Sequence, residues 1–245
     1  MSIDTQFSKP KSLLWEHLQW VPEADQIEKF VKLQNLLREW NQKINLTKLI
    51  EGEDYWLGQI LDSLLPLKEE LKLNYRKKEF IDVGSGCGFP GLAIAIAIPW
   101  ASMTLVDSTK KKALVLKSIV NDLELNNRIK IINQRIESMG QNSSHREQYD
   151  FAFARALASS NVTAEYLIPL INTNGEAILF KGKWNIEEEE HLKTALEHLN
   201  AKISKIQKFN LPNQRGERHI IRLIKESKCP KKFPRAIGIP GKVPL

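Results

Sequence analysis

Apolar side chains recur at three- and four-residue intervals from residue 24 to residue 40 (Ile27, Phe30, Val31, Leu33, Leu36, Leu37, Trp40), the spacing of one face of an α-helix. Residues 55–73 repeat the pattern with Trp56, Leu57, Ile60, Leu61, Leu64, Leu65 and Leu67, so a helical N-terminal layer is expected over residues 1–75. Between the two stretches, Asn41-Gln42-Lys43-Ile44-Asn45-Leu46-Thr47 is polar, and its Asn and Thr residues suit turns and caps. From residue 79 the pattern changes. Short β-rich runs, EFIDV (79–83), MTLVD (103–107), IKIIN (129–133), YDFAFA (149–154) and EAILFK (176–181), alternate with helical stretches, which predicts an α/β fold on a parallel sheet. Runs at 203–209 and 219–224 flank LPNQRGE and are read as an antiparallel hairpin at the sheet edge, giving seven strands. Leu92–Ile98 alternates Ile and Ala like a strand, but it follows a glycine loop and stops at Pro99, and it is read as a buried helix. Asn185 is the expected N-cap of a helix whose first turn carries the acids Glu187 to Glu190.

The core is therefore assigned to residues 76–226, followed by a tail over 227–245. That tail holds Lys228, Lys231, Lys232, Arg235 and Lys242 without an acid and is interrupted by Pro230, Pro234, Pro240 and Pro244. It is expected to be extended, with cations free to follow a phosphate backbone. The formal net charge of +7 agrees with a polyanionic partner. Two cysteines, Cys87 and Cys229, make neither a disulfide framework nor a zinc site, and no metal is expected. No apolar leader and no span of about twenty apolar residues occurs, so the chain is expected in the cytoplasm, off the membrane.

The chemistry concentrates in Ile81-Asp82-Val83-Gly84-Ser85-Gly86-Cys87-Gly88-Phe89-Pro90-Gly91, a strand ending in an acid, then a glycine-dense turn, then a helix. Gly86, Gly88 and Gly91 also spell a dinucleotide-binding fingerprint. Asp82 favours a cofactor with a cationic amino or sulfonium group over a pyrophosphate. Asp107, at the end of the next strand, suits ribose hydroxyls in either reading. Arg135-Ile136-Glu137 leaves the third strand where an adenine edge is met in methyltransferase architectures. These features favour S-adenosyl-L-methionine and a class I S-adenosylmethionine-dependent methyltransferase fold, a Rossmann-like, doubly wound, mostly parallel sheet. An NAD-dependent oxidoreductase, a small-molecule methyltransferase and a non-catalytic RNA-binding protein remain as alternatives.

The acceptor is narrowed by what the fourth strand lacks. Phe153-Ala154-Arg155-Ala156 stands where amino-group methyltransferases carry an Asn/Asp-Pro-Pro-aromatic motif, and no cysteine lies where attack at pyrimidine C5 needs one. Lys181 and Glu217 superficially fit ribose 2′-hydroxyl chemistry, but Arg155 replaces the acid expected after strand four. Guanine N7 has a free lone pair and needs no deprotonation, only placement and charge management.

Beyond these residues, Trp40 to Thr47, Ile60-Leu61-Asp62-Ser63-Leu64, FIDVGSGCGFPG (80–91), Leu105-Val106-Asp107-Ser108, Ala154-Arg155-Ala156, Lys181-Gly182, Gly216-Glu217-Arg218-His219 and the PKKFPRAIGIPGKVPL end resemble the ribosomal RNA small subunit methyltransferase G family. The resemblance implies methylation of guanine N7 in 16S rRNA, with S-adenosylmethionine as cofactor and the small ribosomal subunit or an assembly intermediate as partner of a monomeric enzyme. It further implies a cofactor site lined by Gly84, Phe89, Asp107, Ser108, Thr109, Ile136, Glu137 and Arg155, beside Asp82 and Gly86, with Arg135, Arg155 and Lys181 positioning the target base. The RNA would be held by the Asn41–Thr47 turn, Lys181 and the tail. One departure stands out. Many members read Arg-His before Ile-Leu-Asp-Ser, whereas this chain has Gly58-Gln59, so a cation must come from elsewhere, with Lys43 and the tail as candidates.

Overall fold

A computed structural model describes residues 12–73 and 77–245. The residues preceding Ser12, read above as lacking a leader, and the expected layer boundary near residue 75 lie outside them. The described residues build a seven-stranded sheet in the order β3-β2-β1-β4-β5-β7-β6. Its strands are β1 (Lys78–Val83), β2 (Ala101–Val106), β3 (Ile129–Ile132), β4 (Tyr149–Arg155), β5 (Ile171–Lys181), β6 (Ala201–Asn210) and β7 (Glu217–Lys225). β1 to β5 pair in parallel, while β7 runs antiparallel to β5 and β6 antiparallel to β7. The final two strands thus form the expected edge hairpin. Strand order reverses between β1 and β4, which places the ligand crevice at the C-terminal ends of those two strands.

Period-two alternation divides the core between the two sheet faces. Phe80, Met103, Leu105, Phe153 and Ile178 face one side, where α1 (Ser12–Leu18), α2 (Ala24–Asn41), α5 (Gly91–Ala97) and α6 (Lys110–Asp122) cover them. Ile81, Val83, Ala152, Ala154 and Leu179 face the other, under α7 (Ile136–Gln141), α8 (Ser160–Leu167) and α9 (Ile186–Leu199). α5 is the buried helix read from Leu92–Ile98, and Asn185 caps α9 by accepting from the Glu188 amide at 2.8 Å. The N-terminal layer is tied to the core by buried polar groups. Gln26 on α2 donates to the carbonyls of Ile96 and Ala97 (3.1 and 3.0 Å), which the end of α5 leaves open.

Two readings change. Residues 55–73 are not one helix but α3 (Gly52–Tyr55), a π-helical stretch over Trp56–Leu61, α4 (Asp62–Leu64) and 3-10 turns at Leu65–Leu67 and Glu70–Lys72. The apolar spacing survives, but the wider π turn rotates Gly58 and Gln59 toward the crevice, and Pro66 cannot supply the amide that an α-helix needs.

The C-terminal segment is the second correction. It is docked rather than extended and free, and its last part, α10 (Ile239–Lys242), is a helical turn. Cys229 and Phe233 join the α7–α9 core, and Pro240 is buried. The Arg146 guanidinium donates to the carbonyls of Gly140, Cys229, Pro230 and Phe233 at 2.6–3.1 Å. Those prolines remove donors but leave carbonyls, and Arg146 has the five fixed donors to use them. Among the basic residues, Arg235 is held by Glu165, while Lys228, Lys231, Lys232 and Lys242 remain exposed.

Candidate active site

At the mouth of β1 the chain must turn tightly over the sheet. Gly84 (φ +74°) does so with no room for a side chain, because a Cβ there would lie 2.6 Å from Leu157 Cδ1. Asp82 sits behind the loop, fully buried. Its Oδ2 accepts the Gly91 amide at 3.0 Å at the start of α5, while Oδ1 has no hydrogen-bond partner among the described residues. Burial raises its pKa from 3.8 to about 7, against the opposing effect of the hydrogen bond from Gly91. Asp107, just past β2, receives the Gly86 amide on Oδ2 (3.0 Å) and the Thr109 amide on Oδ1 (2.7 Å), tying the two loops together.

Beyond these loops lies a cavity of about 210 Å³ lined by Val83, Gly84, Val106, Ser108, Gln134, Arg135, Ile136, Glu137, Leu157, Ala158, Val162, Tyr166 and Gly241. Glu137 is almost fully buried. Its Oε1 takes the Gly238 amide (3.0 Å) and Arg135 Nη2 (3.2 Å), and its Oε2 has no partner among the described residues. Arg135, expected beside the target base, therefore lines this cavity with Ile136 and Glu137, because its guanidinium is drawn to the buried carboxylate two residues on.

A second cavity of about 420 Å³ adjoins the first, with Leu157 and Ala158 in both walls. Here the structure brings together Arg155 and Lys181, as expected, with Gln59, Asp62, Cys87 and Arg218. Arg155 Nη1 donates to the carbonyl of Gly58 and to Asp62 Oδ2, both at 3.3 Å, and Nη2 bonds Gln59 Oε1. Its guanidinium lies 5.7 Å from the Phe89 ring centre, and Phe89 is packed edge-on against Tyr55. Asp62 is wedged between Arg155 and Arg218 (Nε–Oδ1 3.2 Å), and burial raises its pKa despite both cations. Lys181 is paired with Glu188 on α9, and His219 Nδ1 holds the Gly182 carbonyl at 2.6 Å beside it. Glu217 does not reach this cavity's lysine; it pairs with Lys208 on the neighbouring strand. Ala156 adopts φ +53°, a conformation that a residue with a Cβ takes only when its surroundings enforce it.

In the Asn41–Thr47 turn, expected to touch RNA, the Asn41 and Thr47 side chains turn inward while Gln42, Lys43 and Asn45 are exposed. Asn41 Oδ1 accepts the amides of Leu46 and Thr47 (2.8 and 3.2 Å), and Thr47 Oγ1 accepts from Gln59 Nε2 at 3.1 Å. The turn thus buttresses Arg155 through Gln59. A cation also stands next to Gly58, where many members of the family carry arginine. It is neither Lys43, which lies over the Trp40 ring, nor the tail, but Arg215, whose Nη1 is 3.8 Å from a Cβ built at Gly58. Gln59 and Asp62 are near neighbours in sequence, whereas Arg218 comes from β7, far along the chain; Asp62 and Arg218 were visible only within family-like motifs, and Gln59 only in the Gly58-Gln59 departure from them.

The family model for rRNA small subunit methyltransferase G matches residues 26–221. The chain belongs to that family. Similar curated proteins, each called ribosomal RNA small subunit methyltransferase G, include one from Prochlorococcus marinus strain NATL2A, 50% identical over 95% of this chain and 94% of its own. One from Synechococcus sp. strain WH7803 is 47% identical over 100% of this chain and 96% of its own. Family membership sets aside the dinucleotide reading of Gly86, Gly88 and Gly91. Among solved structures, an O-methyltransferase from Bacillus cereus in complex with SAH aligns with a TM-score of 0.56 at 14% identity, over 80% of this chain and 90% of its own. P. horikoshii TYW2, in complex with MeSAdo, aligns at 0.53 and 11%, over 74% and 66%. These two establish the methyltransferase fold. Among the described residues no helix is long and apolar enough to cross a membrane.

Proposed function

We propose that this protein transfers the methyl group of S-adenosylmethionine to N7 of a guanine in 16S rRNA, acting as a cytoplasmic monomer on the small ribosomal subunit or an assembly intermediate. The observation that carries the reading is the pair of cavities sharing Leu157 and Ala158, one walled by the exits of β1 to β3 and the other by Arg155, Lys181, Arg218 and Asp62.

The residues present fit the cofactor. Two buried carboxylate oxygens without partners among the described residues, Asp82 Oδ1 and Glu137 Oε2, flank the glycine loop and the smaller cavity. An unmet buried acceptor is unfavourable by about 1–3 kcal/mol, which a donor from a ligand relieves. Asp82 suits an ammonium group, Glu137 an adenine amino group, and Asp107 with Ser108 and Thr109 the ribose; Gly84, Gly86, Ile136 and Phe89 shape the wall. When bound, S-adenosylmethionine supplies an electrophilic methyl group.

In the larger cavity, Arg155 is held by three acceptors and cannot accept a proton, and Lys181 is held by Glu188. This inventory suits an acceptor that loses no proton on methylation. Guanine N7 meets that condition, and the carboxylate of Asp62 offsets the charge that N7 gains. Arg218 lines the larger cavity, and exposed Lys48 and Lys183, each next in sequence to a lining residue, offer phosphate contacts. A-form RNA hides N7 in its deep groove, so the target lies in a loop or is flipped out.

Transfer of labelled methyl to 16S rRNA and to small subunits from cells lacking the protein, followed by nucleoside analysis, tests the proposal. 7-Methylguanosine is the expected product. Label in any other nucleoside overturns the acceptor, and efficient labelling of an uninterrupted duplex overturns the flipped-base requirement.

A further inference from the structure

We infer that residues 236–241 form the outer wall of the cofactor's adenosine cavity, so that docking of the C-terminal segment and cofactor binding stabilise one another. The inference rests on the proposed placement of adenosine in the 210 Å³ cavity.

The segment is anchored immediately upstream. Phe233 is buried in the α7–α9 core, and Gly140 on α7 lets Pro234 approach so closely that a Cβ there would lie 2.6 Å from it. Arg235 then grips Glu165 of α8 through its backbone amide (2.8 Å), Nε (2.9 Å to Oε1) and Nη2 (2.6 Å to Oε2). Glu165 is almost wholly buried, so this is a charge-assisted, forked anchor that fixes the direction in which the chain leaves.

From that anchor the chain reaches the cavity in a few residues. Gly238, at φ +81°, takes a turn that disfavours any side chain, and its amide lands on Glu137 Oε1 at 3.0 Å. Pro240 is buried, and Gly241 lines the cavity. The Gly238 amide and Arg135 both occupy Oε1 of Glu137, leaving Oε2 as the unpartnered oxygen of a carboxylate that lines the cavity. Docking therefore holds Glu137 with one oxygen engaged and the other open to a ligand donor. A ligand that binds Oε2 favours the orientation that receives Gly238, and by linkage the docked segment favours the ligand to the same extent.

The test compares binding of S-adenosylhomocysteine by calorimetry to the full chain, to a variant lacking residues 237–245, and to Ser108→Trp. The deletion spares Phe233, Pro234 and Arg235 and removes mostly exposed residues. Ser108→Trp fills the cavity from an exposed position. We expect the deletion to weaken binding about tenfold or more, the loss of an oriented charge-assisted contact, and Ser108→Trp to abolish it. Affinity within about twofold of the full chain after the deletion, with loss in Ser108→Trp, overturns the wall but keeps the cavity as the cofactor site. Unchanged binding in both overturns the cofactor placement itself. Should the deletion fail to fold, hydrogen exchange on the full chain decides: amides of 236–241 gain protection with S-adenosylhomocysteine if the inference holds, and unchanged exchange refutes it.

Discussion

Replacing Asp82 by asparagine should flatten the pH dependence of stability. Asp82 is fully buried at the end of β1, and its pKa is raised from 3.8 to about 7 chiefly by desolvation. Because the folded-state pKa lies above that of the unfolded chain, the native state holds an extra proton between the two values. The stabilisation from this group is therefore complete below about pH 4 and is lost as pH rises through about 7. The difference between 3.8 and about 7 corresponds to roughly 4 kcal/mol, at about 1.4 kcal/mol for each tenfold change in proton affinity. Asp82→Asn stays neutral throughout and can still accept the Gly91 amide through its own carbonyl oxygen. Urea denaturation at pH 5 and pH 8 should show the parent losing roughly 3 kcal/mol more than the variant, because about two pH units of the titration range lie above pH 5. Cofactor affinity supplies an independent readout. A cationic amino group on Oδ1 favours the ionised carboxylate, so S-adenosylhomocysteine should bind the parent more tightly at pH 8 than at pH 6, and Asp82→Asn weakly and equally at both. A variant that keeps the parent's pH slope in the denaturation experiment would refute the reasoning.

Two further substitutions probe the framework. Arg155→Met removes the donor to Gly58, Gln59 and Asp62 and leaves the buried Asp62 with Arg218 alone; denaturant titration should register a loss of about 3 kcal/mol or more, with methyl transfer abolished. Gly91→Ala puts a methyl group 2.3 Å from Leu105 Cδ2 and 2.7 Å from Asp82 Oδ2, and calorimetry should find a loss of about 1–3 kcal/mol from overpacking at the root of the glycine loop.

The seven strands and the buried helix were legible in the sequence because each is written in a local period. Phe80 and Ile81 point to opposite cores, and Leu92–Ile98 is delimited by glycine and proline. The glycine loop and the Asn185 cap were legible for the same reason: their chemistry lies within a few residues. The larger cavity was only half visible, since Gln59, Asp62, Arg155 and Arg218 meet through tertiary contacts that no local period encodes. The π stretch that turns Gln59 inward has the same apolar spacing as an α-helix. The C-terminal segment misled through composition. Its lysines and prolines suggest solvent, whereas its place is fixed by Phe233, by Arg235 on Glu165, and by Arg146, a residue more than eighty positions away.

Leu157 lines both cavities, and Gly84 is pressed against its side chain. In the proposed placement, two occupants that rest on the same side chain are coupled in binding. Whatever factor the cofactor adds to the hold on RNA, RNA must add to the hold on the cofactor. In the proposed placement, turnover removes the sulfonium charge from the smaller cavity and creates a positive guanine in the larger, so the reaction alters the coupling itself. Release of the two products is then tied to the chemistry that made them.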